Sequence, residues 1–335
     1  MLLSLVIPVY NEEEVLPTLL DTLHAVVTRI DCDYEIIFIN DGSKDATRNI
    51  LTRACAQDRR VKLLDFCRNF GHQMAITAGM DFASGDAVVV MDADLQDPPE
   101  ILTDMVRLYR EGYDVVSAQR TTRKKDTWFK RNTAALFYWL MRTMVDQRLV
   151  PQVGDFRLFS RAAITAIRGF REQHRFVRGL VAWLGLKEAI VPFERQARAA
   201  GSTKYTTWKM IRFAWTAISS FSGMPLRLAV SLGMTLTTFG LLYIGWVLYA
   251  ALVLHETARG WASLVAIQIT FSGAILLALG LVGDYIARIY EEIKARPLYV
   301  LNDTLNIDAR HQQVPRAIVL KDMKPREEHW SVATR

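Results

Sequence analysis

The run Val88-Val89-Val90-Met91-Asp92-Ala93-Asp94-Leu95-Gln96-Asp97-Pro98-Pro99 leads from apolar residues into two carboxylates and an amide. Side chains alternate between the faces of a strand, so Asp92, Asp94 and Gln96 converge while Ala93 leaves room for close approach. Carboxylate and amide oxygens suit a hard divalent cation, and Mg²⁺ or Mn²⁺ prefers to share such a site with substrate phosphates. The chemistry expected here is therefore a metal and diphosphate site. The plainer alternative is a strand ending in an acidic turn, with Asp97 as N-cap of a helix that starts at Pro98-Pro99-Glu100. Asp-x-Asp alone is a weak signal, and the weight falls on the rest of the chain.

The elements that must position these residues alternate in type. Leu3 to Tyr10 reads as a buried strand, and Asn11-Glu12-Glu13-Glu14 opens a helix with acids in its favourable first turn. Tyr34 to Asn40 is the second strand, ending in Asp41-Gly42-Ser43, with Ser43 or Asp45 available to cap the next helix. Val61 to Phe66 gives a third strand before the loop Cys67-Arg68-Asn69-Phe70-Gly71-His72. A helix through Met74 to Ala83 and a strand over 87–91 complete a βαβαβαβ series, which means a mostly parallel sheet with helices on both faces. Ligands of such sheets bind beyond the carboxyl ends of the strands, where Tyr10, Asp41, Arg68 and Asp92 all fall. A further strand, Asp114 to Ala118, ends at Arg120. No Gly-x-Gly-x-x-Gly follows the first strand and no Walker A sequence occurs, which weakens a dinucleotide reading. His72 follows Gly71 and could touch a donor, but a loop histidine with no partner in view is more often incidental and is assigned no role.

The 335 residues suffice for a domain of about 200 residues plus a second part. Leu228 to Leu254 and Gly260 to Gly283 contain no charged residue, and each exceeds the roughly 20 residues that cross a bilayer as a helix. Two transmembrane helices are predicted. The N-terminus has neither the basic n-region nor the apolar length of a signal peptide. Arg288, Lys294 and Arg296 follow the second span, while the connection between spans holds little more than Arg259, so both termini are expected in the cytosol. Cys32, Cys55 and Cys67 show no ligand-like spacing and fit a reducing compartment. The net charge of +6 calls for an anionic partner; two spans favour membrane lipid, and no nucleic-acid-binding signature appears.

Before the first span, Trp208, Ile211, Trp215 and Ile218 recur at helical spacing beside Lys204, Lys209 and Arg212, which favours a helix lying in the headgroup region over one packed on the catalytic domain. The expected organisation is a cytosolic catalytic domain over 1–203, an amphipathic juxtamembrane segment over 204–225, a two-helix hairpin over 226–290 and a cytosolic tail over 291–335.

Taken together, Ile7-Pro8-Val9-Tyr10-Asn11-Glu12, Asn40-Asp41-Gly42-Ser43, Arg68-Asn69-Phe70-Gly71, the Asp92 to Pro99 run and Asp155-Phe156-Arg157-Leu158 form an ordered set. It continues through Arg175-Phe176-Val177-Arg178-Gly179 and Gly201-Ser202-Thr203-Lys204-Tyr205 to the paired spans. The set resembles the family 2 glycosyltransferases with a GT-A fold, a Rossmann-like α/β architecture, and more narrowly the polyprenyl-phosphate glycosyltransferases. The resemblance implies that Pro8, Tyr10, Asn11, Glu12, Asp41, Arg68 and Ala93 lie in the nucleotide-sugar site. It implies that Asp92, Asp94 and Gln96 bind Mg²⁺ or Mn²⁺, and that Arg120, Arg131, Arg198, Ser202 and Lys204 surround phosphates of donor or acceptor. Asp155 matches a residue near the transferred sugar, a candidate base that a phosphate acceptor scarcely requires.

The expected reaction is inverting transfer of a sugar from a nucleotide-sugar donor to undecaprenyl or another polyprenyl phosphate at the cytoplasmic face of a bacterial inner membrane. UDP-glucose is the first donor expected; a modified arabinose, another UDP-hexose or GDP-mannose are alternatives. The family is often oligomeric, and a homo-oligomer such as a tetramer is a further expectation. A processive polysaccharide synthase of the same fold usually carries Gln-x-x-Arg-Trp, which Gln173-His174-Arg175-Phe176 does not match. A catalytically silent membrane adaptor is opposed by the intact Asp92, Asp94, Gln96 and Asp155.

Overall fold

Strand β1 (Leu2–Val9) is buried along nearly its whole length because it runs mid-sheet between β2 (Asp33–Asn40) and β4 (Ala87–Val90), parallel to both. The structure, a computed structural model, describes residues 1–121, 153–173, 175, 177–194, 223–253, 260–307 and 318–319. The period of two sends Leu3, Leu5, Ile7 and Val9 into one core and Val6 into the other. Helices α1 (Leu16–Val27), α2 (Thr47–Gln57) and α4 (Leu102–Arg110) cover the first face. Helices α3 (His72–Phe82), α5 (Arg161–Gly169) and α6 (Val177–Leu184) cover the second. Both faces are closed to water, which explains why the central strands read as continuous apolar runs.

The remaining strands are β3 (Val61–Phe66), β5 (Val115–Arg120), β6 (Val153–Ser160), β7 (Glu188–Phe193), β8 (Val300–Leu305) and β9 (Ile318–Val319). The sheet order is β7-β5-β6-β4-β1-β2-β3-β8-β9. The β4-β1-β2-β3 centre is parallel, as the alternation predicted; β6 joins β4 and β5 antiparallel, and β8 joins β3 antiparallel.

Pro8 stands in a central strand, a place where a missing N–H normally breaks a ladder. Its nitrogen is directed like that of Val6, toward β4, and β4 pairs only as far as Val6. No ladder bond is lost there.

Three local expectations are corrected. Helix α1 begins at Leu16, with Pro17 in its first turn, so Glu12, Glu13 and Glu14 precede it rather than occupy that turn. Strand β4 ends at Val90, so residues 92–97 form a turn, with Leu95 at φ 54°, and strand alternation does not govern them. Asp97 caps no helix: a 3-10 turn over Pro99–Ile101 leads into α4, and the buried Asp97 carboxylate faces Arg120 at 3.4 Å.

Contacts divide the chain into two units, one of Met1–Lys209 with Arg296–Arg335 and one of Met210–Ala295. The second contains α7 (Met224–Leu252) and α8 (Trp261–Ile293), both long and apolar enough to cross a membrane. Leu241, Leu276 and Leu277 on them are exposed. Asp284 and Arg288 pair at 3.2 Å one turn apart on α8.

The residues after α8, read from sequence as a tail, supply β8 and β9 to the sheet of the first unit. Tyr299 anchors them: its ring stacks on Phe66 at 5.4 Å, and its hydroxyl donates to Asp81 at 2.9 Å.

Candidate active site

Register brings the two principal acids together. Val90, the last residue of β4, opposes Arg157 on β6, so Asp92 just beyond β4 and Asp155 on β6 come to the same end of this strand pair. Like charges across a strand pair repel, so countercharge is required. His72, the first residue of α3, supplies it with Nε2 3.3 Å from Asp155 Oδ2 and 3.5 Å from Asp92 Oδ1. Arg178 on α6 completes the arrangement, its Nε donating to Asp155 Oδ1 at 2.9 Å and its Nη2 to Oδ2 at 3.2 Å. Gln73 donates to the same carboxylate at 3.3 Å while its own carbonyl accepts from the Val177 amide, tying α3 to α6.

Burial disfavours the charged form of Asp155, but the charge and hydrogen bonds of Arg178 and His72 outweigh it and hold the carboxyl well below the usual carboxylate range. Asp92 goes the other way. Burial, together with the negative charges of Asp155 and Asp94, raises it, and His72 and Arg120 offset only part of that. Burial works against protonated His72 as well, yet its hydrogen bond to Asp155 and the two carboxylate charges raise its pKa overall. The site is thus rich in negative charge around Asp92 and already neutralised at Asp155.

A cleft of about 540 Å³ opens in the same unit over the carboxyl ends of β1, β2 and β3, lined among others by Tyr10, Asn40, Ser43, Arg48 and Arg68. Gly42, at φ +67°, makes its wall possible: a Cβ there would lie 2.5 Å from the Arg68 carbonyl carbon. Asp41 holds the facing loop, accepting from the Phe70 amide at 2.7 Å and the Gly71 amide at 3.0 Å. Burial raises its pKa more than these two bonds lower it. Arg68 lies over the Phe70 ring at 4.0 Å, which orients its guanidinium along the rim.

The sequence matches the profile of glycosyl transferase family 2 over residues 4–168. It is 48% identical over 305 residues to the uncharacterized glycosyltransferase YkcC of Bacillus subtilis, covering 91% of this chain and 94% of that one. It is 42% identical to the uncharacterized glycosyltransferase sll0501 of Synechocystis, covering 91% and 96%. It is 39% identical to the SfII prophage-derived bactoprenol glucosyl transferase of Shigella flexneri, covering 90% and 97%. The chain belongs to glycosyl transferase family 2. The protein is therefore a glycosyltransferase, and its mixed, mainly parallel sheet is the GT-A arrangement that the motifs implied.

In this glycosyltransferase the residues singled out from sequence do not all converge on one point. Asp92 and Asp155 meet, with Asp94 close enough to act on Asp92; Tyr10 and Arg68 line the cleft. Asn11 and Glu12 brace the loop after β1 against the loop after β2: the Asn11 amide donates to Ser43 at 2.9 Å, the Lys44 amide to Asn11 at 2.8 Å, and the Glu12 amide to Thr47 at 2.9 Å. Pro8, Ala93 and Gln96 are buried. Asp94 accepts from the Gln96 amide at 3.1 Å, closing the turn. Arg120 ends β5 against Asp97, and its charge reaches Asp92. Arg131, Arg198, Ser202, Lys204 and the juxtamembrane segment before Gly223 lie outside the described residues.

Sequence reasoning passed over His72 and gave Arg178 and Gln73 no role. Arg178 stood inside a quoted motif, but only the packing of α6 shows which carboxylate it meets.

Proposed function

We propose that this glycosyltransferase transfers glucose from a nucleotide sugar, UDP-glucose first, to the phosphate of a polyprenol, inverting the anomeric carbon. The observation that carries the reading is the presence of two features in one chain. They are the Asp92–His72–Asp155 cluster and two helices long and apolar enough to cross a membrane. Relatives named bactoprenol glucosyl transferase align over 90% of the chain, which supports a lipid-phosphate acceptor. The positive-inside pattern supports a catalytic domain and termini on the cytoplasmic side of the inner membrane.

A polyprenyl phosphate is already anionic near pH 7 and needs little help from a base. Asp155 suits that requirement, since Arg178 and His72 leave it ionised and a poor proton acceptor; its part is to position the sugar or the attacking phosphate. Arg120, with Arg131, Arg198, Ser202 and Lys204, provides cationic and hydrogen-bonding partners for the phosphates, and Tyr10 and Arg68 border the nucleoside.

The donor set around Asp92 fits a divalent cation. Its carboxyl is raised by burial and by accumulated negative charge, which a cation relieves. Among the described residues no group of three or more His, Cys, Asp and Glu side chains gathers as a ready-made metal site. Asp92, Asp94 and Gln96 would hold Mg²⁺ or Mn²⁺ with few protein ligands and the remainder from donor phosphates, as Mg²⁺ sites commonly do. When bound, the metal supplies charge neutralisation to the departing diphosphate.

The test is transfer to undecaprenyl phosphate by the full-length protein in detergent, using radiolabelled UDP and GDP sugars with Mn²⁺ or Mg²⁺ and then EDTA. A metal-dependent lipid product from UDP-glucose is expected. Nucleotide binding without a lipid product from any donor refutes the reading, and a product from another donor corrects the sugar.

A further inference from the structure

Asn302 brings the strand that follows the apolar hairpin into the cleft. It sits on β8, only a few residues beyond the end of α8, and lines the cleft with Asp65, Arg48, Arg68 and Tyr10. The register explains its placement: β8 runs antiparallel to β3, so its first residues meet the carboxyl end of β3, where Phe66 pairs with Leu301.

Asp65 organises this wall from a nearly buried position at the edge of the cleft. Its side chain is only 5% exposed, and it takes three donors: Asn40 Nδ2 at 2.7 Å, Arg48 Nε at 3.0 Å and Asn302 Nδ2 at 2.9 Å. An ionised carboxylate only accepts, so the Asn302 amide must turn its nitrogen to Asp65. Asn302 Oδ1 then accepts no hydrogen bond among the described residues, and it belongs to a side chain bordering the cleft. The result is a fixed acceptor, oriented by a buried acid.

Its distance from the acids sets what it can touch. In the order β4-β1-β2-β3-β8, β8 lies four strands from the strand that carries Asp92, about 19 Å at roughly 4.8 Å per strand. A nucleoside diphosphate bound with its phosphates toward Asp92 and its base in the cleft would run across β1, β2 and β3 toward β8.

We infer that Asn302 is a nucleobase-reading residue, its Oδ1 accepting a hydrogen bond from a ring N–H or exocyclic amine of the donor nucleotide. This rests on the proposed reading of the cleft as a nucleotide-sugar site. The same chain segment that leaves the hairpin therefore completes the donor site.

Calorimetry on the full-length protein in detergent with Mn²⁺, using UDP, GDP and base-free pyrophosphate, tests it. Asn302→Ala should weaken the preferred nucleoside diphosphate by about five- to tenfold, the loss of one hydrogen bond, and leave pyrophosphate within about twofold. Asn306→Ala separates recognition from strand loosening. Asn306 also pins this edge, donating to the Cys55 and Val61 carbonyls at 2.7 and 2.8 Å, but it does not border the cleft. It should leave both ligands unchanged. Equal losses for nucleotide and pyrophosphate, the same nucleotide loss in Asn306→Ala, or an unaffected Asn302→Ala each overturn the assignment. A wild-type protein that binds no nucleoside diphosphate overturns the underlying reading of the cleft.

Discussion

Arg178 grips Asp155 with two parallel hydrogen bonds, Nε to Oδ1 at 2.9 Å and Nη2 to Oδ2 at 3.2 Å. Such a fork fixes the plane of the carboxylate as well as its charge. With His72 on the same group, Asp155 stays ionised across the physiological range, which suits positioning and not proton abstraction.

Arg178→Lys keeps the charge but loses the fork, and kcat should fall by about 10- to 100-fold. The acid limb of the pH profile distinguishes this from a general loss of structure. A less tightly held Asp155 protonates at higher pH, so the limb should move upward; an unshifted limb contradicts the positioning role.

Asp92→Asn and Asp94→Ala should each lower turnover by at least about 10²-fold, the scale of losing electrostatic stabilisation of a leaving group. Manganese binding followed by electron paramagnetic resonance should weaken in parallel. An Asp94→Ala protein that is active in EDTA would refute the metal assignment.

Glu35 carries a pH dependence remote from the reaction. Burial opposes its ionisation, but Lys62 at 2.6 Å, the Ser4 hydroxyl and the Ser84 amide prevail and lower its pKa. A carboxyl depressed in the folded state contributes stability above its unfolded value of about 4.3 and loses it as pH falls below that toward the folded pKa. Glu35→Gln should cost about 3–5 kcal/mol at pH 7, because Lys62, 13% exposed, is left without its counterion. The melting temperature should also fall less between pH 5 and 3 than in the wild type, to the extent of this one group.

Tyr299→Phe removes the hydroxyl but keeps the stack on Phe66, and Asp81 retains Arg171 at 2.7 and 2.9 Å. The expected cost is about 1–2 kcal/mol in denaturant unfolding. Tyr299→Ala also opens a cavity, for about 3–5 kcal/mol, and should release β8 from hydrogen-exchange protection. Equal protection in both variants would separate Tyr299 from the docking of β8.

Much of the architecture was legible because local pattern and burial agree. Val88–Val90, Ile36–Ile39 and Leu5–Ile7 are apolar on both faces, and only a sheet covered on both sides buries such runs. The long apolar helices α7 and α8 were legible just as directly, since each carries an uncharged run of bilayer-spanning length. The position of Asp92 at the carboxyl end of a buried strand was legible because such a strand precedes it. The alternation used to gather Asp94 and Gln96 failed, since β4 stops at Val90 and a turn takes over.

What the linear chain could not contain is which strand lies beside which. Asp155 comes near Asp92 only because β6 returns antiparallel beside β4, and His72 and Arg178 reach this end of the pair from helices packed on that face. Asn302 lies more than 230 residues after Asp65 in sequence yet 2.9 Å from it, because β8 returns to the edge of β3. Residue types and local periodicity determined the elements and the class of chemistry. Long-range strand pairing, stabilised by burial shared between distant segments, decided which charges face one another and which residues border the cleft.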